Sequence, residues 1–439
     1  MMKPARFTLV CALGLAACSS SNHTSATAED AGDAAHAVAG GDASSPASTH
    51  DGSLRDAALL DSSAEQTSPV PSIDGAVNPV DAGTLSTLSS LVYVGGYGAP
   101  YPFRTYALDR ATGGLTEQQG SPQTTMGDSP TYIAASADHR FLYLANEPEA
   151  AAGSVTVAAL DALGVASRLQ QQPATGPLVF TSIDTSGKWL LAASYNGGFV
   201  NVFPIQSDGT LKAVADTKTF VKPANESSAQ THSIRVHPND RFAYVPNKAL
   251  NQVAQYSFDK STGKLTALTP AVVDCAGGPR HIAFNQAGSY AFVITELSTE
   301  LVAYRVADTG ALTEVGRKSA LPSGKTGDKG AHVLVHPTHD GFVYASNRTD
   351  NSIAVFSIAS DGTPTQIQSI ATGGNSPRNF DIDSAGKYLI AANEGVRHQG
   401  DGSLVVFEIG SDGRLTQRGS PVTGIEDPAA VAIVTKTAL

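Results

Sequence analysis

A strand-like segment recurs about every fifty residues from residue 91 onward, and this period limits the folds open to the chain. Each copy, here called a marker strand, is an apolar and aromatic run that ends in a polar pair. The copies span residues 91–97, 141–147, 189–195, 242–248, 290–296, 342–348 and 388–394. A period of this length, built only from strand-like pieces, is typical of β-propeller blades with four strands each.

The remaining strands of each unit can be read from the same repeat. A short alternating strand precedes each marker strand, and a third strand follows it and leads to a Gly-bearing turn such as Asp361-Gly362. The first unit lacks a preceding strand, whereas residues 429–434 form one with nothing after it. The sequence therefore predicts an all-β, seven-bladed propeller with four-stranded blades, closed by the C-terminal strand in the first blade.

The N-terminus carries an export signal. Lys3 and Arg6 precede an apolar run at residues 7–17, which is the length of a signal-peptide core and too short for a permanent membrane span. The run ends in Leu-Ala-Ala-Cys, which resembles a bacterial lipobox, so we expect lipidation of Cys18. An ordinary secretory signal, with Cys18 incidental, is the alternative. We expect an exported protein anchored by lipid to the cell envelope, at the outer membrane, facing the periplasm or the surface.

Residues 18–88 are predicted to be a tether between signal peptide (1–17) and propeller (89–439). From residue 19 this segment has no aromatic residue and holds ten carboxylates against one arginine, so it cannot bury enough apolar surface to fold. It contributes most of the chain's net charge of −11. The nearly balanced remainder shows no basic stripe, which argues against nucleic acid as a partner. Cys275 is expected to be a buried free thiol, and the protein a monomer.

Ionisable residues collect at one end of the predicted channel. The two inner strands of a blade form a hairpin, so the start of the first and the end of the second share an end of the barrel. Counting back fifteen residues from the sixth position of six marker strands gives Thr131, Val179, His232, Arg280, His332 and Arg378. With His281, Lys248, Glu296 and Arg348, these predict a polar, solvent-filled funnel. Asparagines such as Asn347 fit turn capping as well as substrate contact.

Three segments carry a family resemblance. Thr231-His232, then Gly278-Pro279-Arg280-His281 with Thr295-Glu296, then the stretch at residues 346–356 resemble the lactonase family of seven-bladed propellers. That family includes a bacterial type of 6-phosphogluconolactonase and the fungal carboxymuconate cyclising enzymes. The resemblance covers about residues 91–434, and one departure is Thr295, where the family usually has asparagine.

The resemblance implies a lactone hydrolase that needs no cofactor and no metal, and no metal-binding motif stands in the sequence. It implies His232 as the general base, Glu296 as acid or orienting partner, and Arg280 as an anion-binding catalytic group. Arg348 is the further arginine for an anionic substrate. The other candidate substrate contacts are His281, His332, Arg378 and Asn347. The alternative is an exported propeller that binds a small ligand or a protein at the same funnel without catalysis.

Overall fold

The computed structural model describes residues 89–97, 103–149 and 152–436. The signal peptide, the tether and Cys18 lie outside these residues and remain predictions. Within the described ranges no helix is long and apolar enough to cross a membrane, and every regular element is a strand.

Twenty-eight strands make up the described residues. In chain order they are β1 (Ser89–Gly96), β2 (Arg104–Leu108), β3 (Leu115–Glu117), β4 (Pro130–Ala135), β5 (Phe141–Asn146), β6 (Ser154–Leu160), β7 (Ala166–Pro173), β8 (Phe180–Ile183), β9 (Trp189–Ser194), β10 (Phe199–Pro204), β11 (Asp216–Thr219), β12 (Arg235–Val236), β13 (Phe242–Asn247), β14 (Gln252–Asp259), β15 (Lys264–Asp274), β16 (Pro279–Phe284), β17 (Tyr290–Thr295), β18 (Glu300–Val306), β19 (Leu312–Ser319), β20 (Gly330–Val335), β21 (Phe342–Asn347), β22 (Ser352–Ile358), β23 (Pro364–Ala371), β24 (Pro377–Ile382), β25 (Tyr388–Asn393), β26 (Gly402–Ile409), β27 (Leu415–Ile425) and β28 (Pro428–Lys436).

The strands form seven antiparallel sheets of four, so the predicted seven-bladed propeller is confirmed. Blade 1 has the order β28-β1-β2-β3 from the channel outward, and blades 2 to 7 follow in chain order from β4 to β27. The C-terminal strand pairs with β1 in the register Leu91↔Val434 to Val94↔Val431, which confirms the predicted closure of the ring. The closure supplies blade 1 with its inner strand and joins the first and last described strands in one sheet.

The aromatic residue of the marker strand fastens one blade to the next. The Tyr93 hydroxyl donates to the Gly164 carbonyl of blade 2 (2.6 Å), and Tyr244 donates to Gly310 of blade 5 (2.7 Å). Both tyrosines are fully buried. The accepting glycines lie in the hairpin turns between outer strands and have positive φ, a conformation that side-chain-bearing residues adopt at a cost. The repeat of tyrosine and turn glycine thus sets the spacing of neighbouring blades.

Seven inner strands line the channel in successive layers, because side chains alternate between the two faces of a strand. We name the layers by position. The mouth layer holds Thr131, Val179, His232, Arg280, Ala331, Arg378 and Ala429; the ring layer holds Tyr132, Phe180, Ser233, His281, His332, Asn379 and Ala430; the far layer holds Ala134, Ser182, Arg235, Ala283, Leu334, Asp381 and Ala432.

Bulges set the mouth layer apart from the layers below it. The pairing of the inner strand with the marker strand shifts by one residue at Thr131, Arg280 and Arg378. A bulge leaves one residue out of the ladder and re-aims its side chain. The strand ends at this face therefore present side chains toward the channel axis, while the remaining inner strand packs regularly.

Candidate active site

The mouth of the channel is built from two sets of residues. One is the mouth layer; the other, here called the rim, is the last residue of each marker strand. The rim residues are Tyr97, Glu147, Tyr195, Lys248, Glu296, Arg348 and Glu394. Since the first and second strands of a blade form a hairpin, each rim residue lies beside the mouth-layer residue of its own blade.

Glu296 is the centre of the most densely charged part of the mouth. Its Oε2 accepts from Arg280 Nε at 2.9 Å and lies 3.3 Å from Arg348 Nη2. Its Oε1 accepts from Lys248 Nζ at 2.6 Å. The three cations come from blades 4, 5 and 6, so this one carboxylate joins three successive repeats. We call these residues the Glu296 cluster.

Burial and charge act against each other on Glu296. Burial alone would raise its pKa, but Arg348, Arg280 and Lys248 hold the pKa well below the ordinary value. Burial likewise opposes the charge of Lys248, yet Glu296 raises the pKa of that ammonium group. Both pKa directions favour the ionised forms of Glu296 and Lys248.

His232 stands beside the Glu296 cluster in the mouth layer. Its ring meets Tyr195 and His281 edge to face, with centroids 5.3 Å and 5.1 Å away. A positive charge on His232 would lower the pKa of Glu296, so the imidazole lies within electrostatic range of that carboxylate. His232 and Arg280 thus present an imidazole and a guanidinium side by side at the channel axis.

His281 lies directly below, in the ring layer, and its proton can be placed from its partners. Arg280 Nη1 donates to His281 Nε2 (3.2 Å), so the His281 proton is on Nδ1. His281 Nδ1 then donates to His332 Nδ1 at 2.7 Å, which puts the His332 proton on Nε2. Burial and the neighbouring cations hold the pKa of both histidines well below the ordinary value. Both are therefore neutral.

The structure places His332 one layer below the mouth position that the fifteen-residue count gives it. Gly330 pairs with Asn347, seventeen residues on, whereas Pro279 pairs with Thr295, sixteen residues on. The turn between β20 and β21 is thus one residue longer than the turn between β16 and β17. Counting back fifteen residues from Asn347 therefore reaches a residue one position too far along β20. Ala331 occupies the mouth-layer position, and His332 lies below it against the ring of Phe380 (5.0 Å).

Asn347 lies at the end of β21. Its Nδ2 donates to the Ala320 carbonyl (2.7 Å) and to Ser352 Oγ (3.2 Å), and the residue is fully buried. The amide ties the end of this strand to the segment that precedes blade 6. Turn capping, the other reading of these asparagines, is the one the contacts support.

A second charged group lies on the other side of the mouth. Glu147 Oε2 accepts from the Tyr97 hydroxyl (2.6 Å) and from Thr131 Oγ1 (2.8 Å). Arg378 Nη2 donates to the Tyr97 hydroxyl (2.8 Å), and Arg397 Nε donates to Glu394 Oε1 (2.9 Å). We call these residues the Glu147 side. It comes from blades 7, 1 and 2.

A narrow recess of about 10 Å³, which has room for about one water molecule, lies between the two groups and opens to solvent. Ten residues line it: Thr131, Tyr132, Glu147, Val179, His232, Arg280, His281, Arg378, Asn379 and Ala429. Glu296 and Arg348 stand behind this lining. The predicted funnel is tighter than expected, because His232, Arg280 and Glu296 are only 3%, 2% and 4% exposed.

Lys248 was expected in the funnel but was given no catalytic or binding role. Its Nζ makes the shortest contact to Glu296 and also donates to the Tyr195 hydroxyl (3.0 Å). The signal was present, because Lys248 occupies the same repeat position as Glu296 and Arg348. Two other histidines lie at the opposite end of the inner strands: His237 Nε2 bonds the Gly288 carbonyl and His336 Nε2 the Gly386 carbonyl.

Comparison with known proteins agrees with this architecture. The family described as lactonase, 7-bladed beta-propeller, matches residues 91–433. The 6-phosphogluconolactonase of Bacillus subtilis is 32% identical over 339 residues, which cover 75% of this chain and 95% of that protein. The 6-phosphogluconolactonase of Cronobacter sakazakii is 30% identical and covers 66% of this chain and 84% of that protein.

Solved structures give the same picture. A candidate 6-phosphogluconolactonase from Bacteroides fragilis superposes with a TM-score of 0.70 at 27% identity, over 81% of this chain and 100% of the other. The periplasmic gluconolactonase of Pseudomonas aeruginosa has a TM-score of 0.71 at 22% identity, over 79% and 99%, and shares the fold. From the family match across the whole propeller and the identity with these relatives, this chain belongs to the lactonase family of seven-bladed β-propellers.

Proposed function

We propose that the protein hydrolyses an anionic, sugar-derived lactone in the mouth recess, with no metal ion, in the manner of a 6-phosphogluconolactonase. The names of the relatives support this activity. The observation that carries it is the placement of His232 and Arg280 together in the lining of one recess, backed by the ion pairs of Glu296. This is an imidazole for proton transfer beside a fixed donor for a developing negative charge.

The reaction needs one proton carrier. His232 accepts a proton from water as the water oxygen bonds to the lactone carbonyl carbon. Arg280 donates hydrogen bonds to the carbonyl oxygen, which becomes an oxyanion. When the ring C–O bond breaks, the His232 imidazolium returns its proton to the leaving oxygen. Water is thereby added across the ester, and the product is a hydroxy acid.

Glu296 positions the donors. Both its oxygens are engaged by cations, and its low pKa keeps it ionised, so it fixes the direction of Arg280 instead of transferring protons. Because the guanidinium is already held in this direction, little reorganisation energy is needed when negative charge develops on the substrate. Of the two roles suggested by the family resemblance, orienting partner is the one this geometry supports.

Substrate charge is matched by the cations around the recess. Arg378 lines it, and Lys248 and Arg348 stand behind Arg280 in the Glu296 cluster. Guanidinium groups bind carboxylates and phosphates through paired donors. We therefore propose a lactone bearing a phosphate or carboxylate group, with its ring over His232 and its anionic group toward these cations.

The test is turnover by the full chain. Hydrolysis of glucono-δ-lactone and of its 6-phosphorylated form would be followed by acid release at constant pH, against the uncatalysed rate. We expect catalysis of both, with the larger kcat/KM for the phosphorylated lactone. Absence of turnover, together with saturable binding of these lactones, would instead establish the non-catalytic binding propeller.

We propose as well that the protein is exported and held in the cell envelope by lipid on Cys18. The lipobox and the polar tether behind it support this location. Cys18→Ser should move the protein from the membrane fraction to the soluble fraction with its unfolding midpoint unchanged. Continued sedimentation with membranes would overturn the lipid anchor.

A further inference from the structure

The far layer of the channel holds two charges that the repeat does not require. Five of its seven positions are alanine, serine or leucine, and the other two are Arg235 and Asp381. Both side chains line a cavity of about 370 Å³ at the end of the channel opposite the mouth. The proposed lactonase mechanism uses neither residue.

The ring layer separates this cavity from the mouth recess. Tyr132 packs against Phe180 with ring centroids 4.2 Å apart, and Phe180 meets His281 at 5.0 Å. His281 in turn meets His332 at 5.0 Å. These rings, with Asn379, form a partition across the channel, and the cavity beneath is a distinct compartment that opens where Ser384 is exposed.

Arg235 is held in place, but described residues satisfy only part of its hydrogen-bonding capacity. Its guanidinium lies over the Phe180 ring (5.3 Å to the centroid), and Nη2 donates to the Tyr132 hydroxyl at 3.2 Å. Among the described residues its buried Nε has no hydrogen-bond partner, and no carboxylate lies within ion-pair distance. Arg235 makes no described ion pair with Asp381 across the same layer, although its charge acts to lower the pKa of that carboxyl against the effect of burial.

Two further donors line the same cavity. Asn379 accepts from the Val431 backbone N–H through Oδ1 (2.9 Å), which fixes the orientation of the amide and leaves its NH₂ group without a described partner. His332 carries its proton on Nε2, as the hydrogen bonds of His281 require. Arg235, Asn379 and His332 together offer donors from three blades to one space.

Asp381 supplies the acceptor. Its Oδ2 accepts from the Ile433 backbone N–H (2.7 Å) and its Oδ1 from that of Ile382 (2.9 Å). Each oxygen keeps a lone pair for one more donor. A hydroxyl group fits this need, since it adds a hydrogen bond to a carboxylate whose oxygens are already fixed by backbone.

We propose that the far cavity is a binding site for a small hydroxycarboxylate, with its carboxylate on Arg235, Asn379 and His332 and a hydroxyl group on Asp381. The planar fork of arginine matches a carboxylate in paired fashion. The volume equals that of about a dozen waters, enough for a six-carbon hydroxy acid. This site stands independently of lactone hydrolysis, because the partition separates it from the mouth.

The test is calorimetric titration of the full chain with potassium gluconate, alongside butyrate, which lacks hydroxyls, and sorbitol, which lacks the carboxylate. We expect gluconate to bind, and Arg235→Gln to weaken that binding at least tenfold. Asp381→Asn should weaken gluconate more than butyrate. Sorbitol should not compete.

Arg305→Gln, an exposed arginine that lines neither compartment, is the matched control and should leave this binding unchanged. If Arg235→Gln leaves gluconate binding intact, or if Arg348→Gln at the mouth abolishes it, the far cavity is not the site. Should Arg235→Gln fail to fold, Arg235→Lys keeps the charge and removes the fork. Full-strength gluconate binding in that variant would also overturn the proposal.

Discussion

Glu296 and Glu147 occupy the same position in their repeats, on different sides of one mouth, yet their surroundings differ. Glu296 is met by Lys248, Arg280 and Arg348, each with a charged nitrogen within 3.3 Å. Glu147 accepts hydrogen bonds from the hydroxyls of Tyr97 and Thr131. The position of a rim carboxylate follows from its place in the repeat. Its partners, and so its role, depend on the mouth-layer and rim residues of its own and neighbouring blades.

The difference separates the two sides by electrostatics. In the Glu296 cluster three cations face one carboxylate, which favours an anion in the adjoining recess. On the Glu147 side Arg378 and Arg397 accompany two carboxylates, Glu147 and Glu394. Burial would raise the pKa of Glu394, but these arginines lower it. The chemistry is therefore expected on the Glu296 side, with the Glu147 side completing the recess.

The largest expected effect is on His232, the imidazole beside the Glu296 cluster. His232→Ala should lower kcat by about 10²–10⁴-fold, since it removes the proton carrier. Lactone hydrolysis under saturating substrate measures it. His237→Gln, at the far end of the same inner strand, is the control and should leave kcat unchanged. A kcat that survives loss of His232 but not of His237 would move the chemistry to the other end of the channel.

The second effect is on stability. Glu296→Gln leaves three buried cations around a neutral amide, and breaking a buried ion pair on one side costs about 3–5 kcal/mol. Glu147→Gln should cost less, about 1 kcal/mol, because an amide oxygen still accepts from hydroxyls. Urea denaturation of both variants at neutral pH measures the difference. Equal losses would show that the two sides are electrostatically alike.

The dependence of the unfolding free energy on pH in acid should also show the contribution of the Glu296 cluster. The pKa of Glu296 is lowered in the folded state, so its contribution is present above the ordinary value of 4.5 and is lost as the pH falls through the folded value. The stability gap between the wild type and Glu296→Gln should therefore narrow as the pH falls below 4.5. Urea midpoints at a series of acid pH values would show it. A gap independent of pH would mean that ionisation of Glu296 contributes nothing.

Much of the architecture was predictable because the repeat is local. Marker strands and Gly-bearing turns gave seven blades, and the strand left over at residues 429–434 gave the closure. The same register placed His232 and Arg280 at the mouth. The same count misplaced His332, because the turn between β20 and β21 has one extra residue, which shifts the register of β20. The insertion could not be recognised in the sequence, because the repeat pattern is otherwise intact.

Contacts between blades were less predictable. The engagement of Glu296 by Lys248, the tight burial of the mouth and the pairing of His281 with His332 depend on distances between residues about fifty positions apart. No periodic pattern encodes those distances. Arg235 and Asp381 could have been found, because strand register alone puts them in a layer of small residues.

The smallest effect is on substrate affinity, and it asks which side of the mouth holds the anionic group. Arg348→Gln removes a cation from the Glu296 cluster, so KM for a phosphorylated lactone should rise about tenfold, or about 1.4 kcal/mol, with a smaller change in kcat. Arg378→Gln, the matched change on the Glu147 side, should raise KM less, because two arginines there accompany two carboxylates, whereas three cations share Glu296. The unphosphorylated lactone is the substrate control, and its KM should hardly respond to Arg348→Gln. If Arg378→Gln gives the larger rise, the anionic group lies on the Glu147 side and the substrate is turned around in the recess. If both variants affect the two lactones alike, the arginines hold the mouth together without contacting the anion.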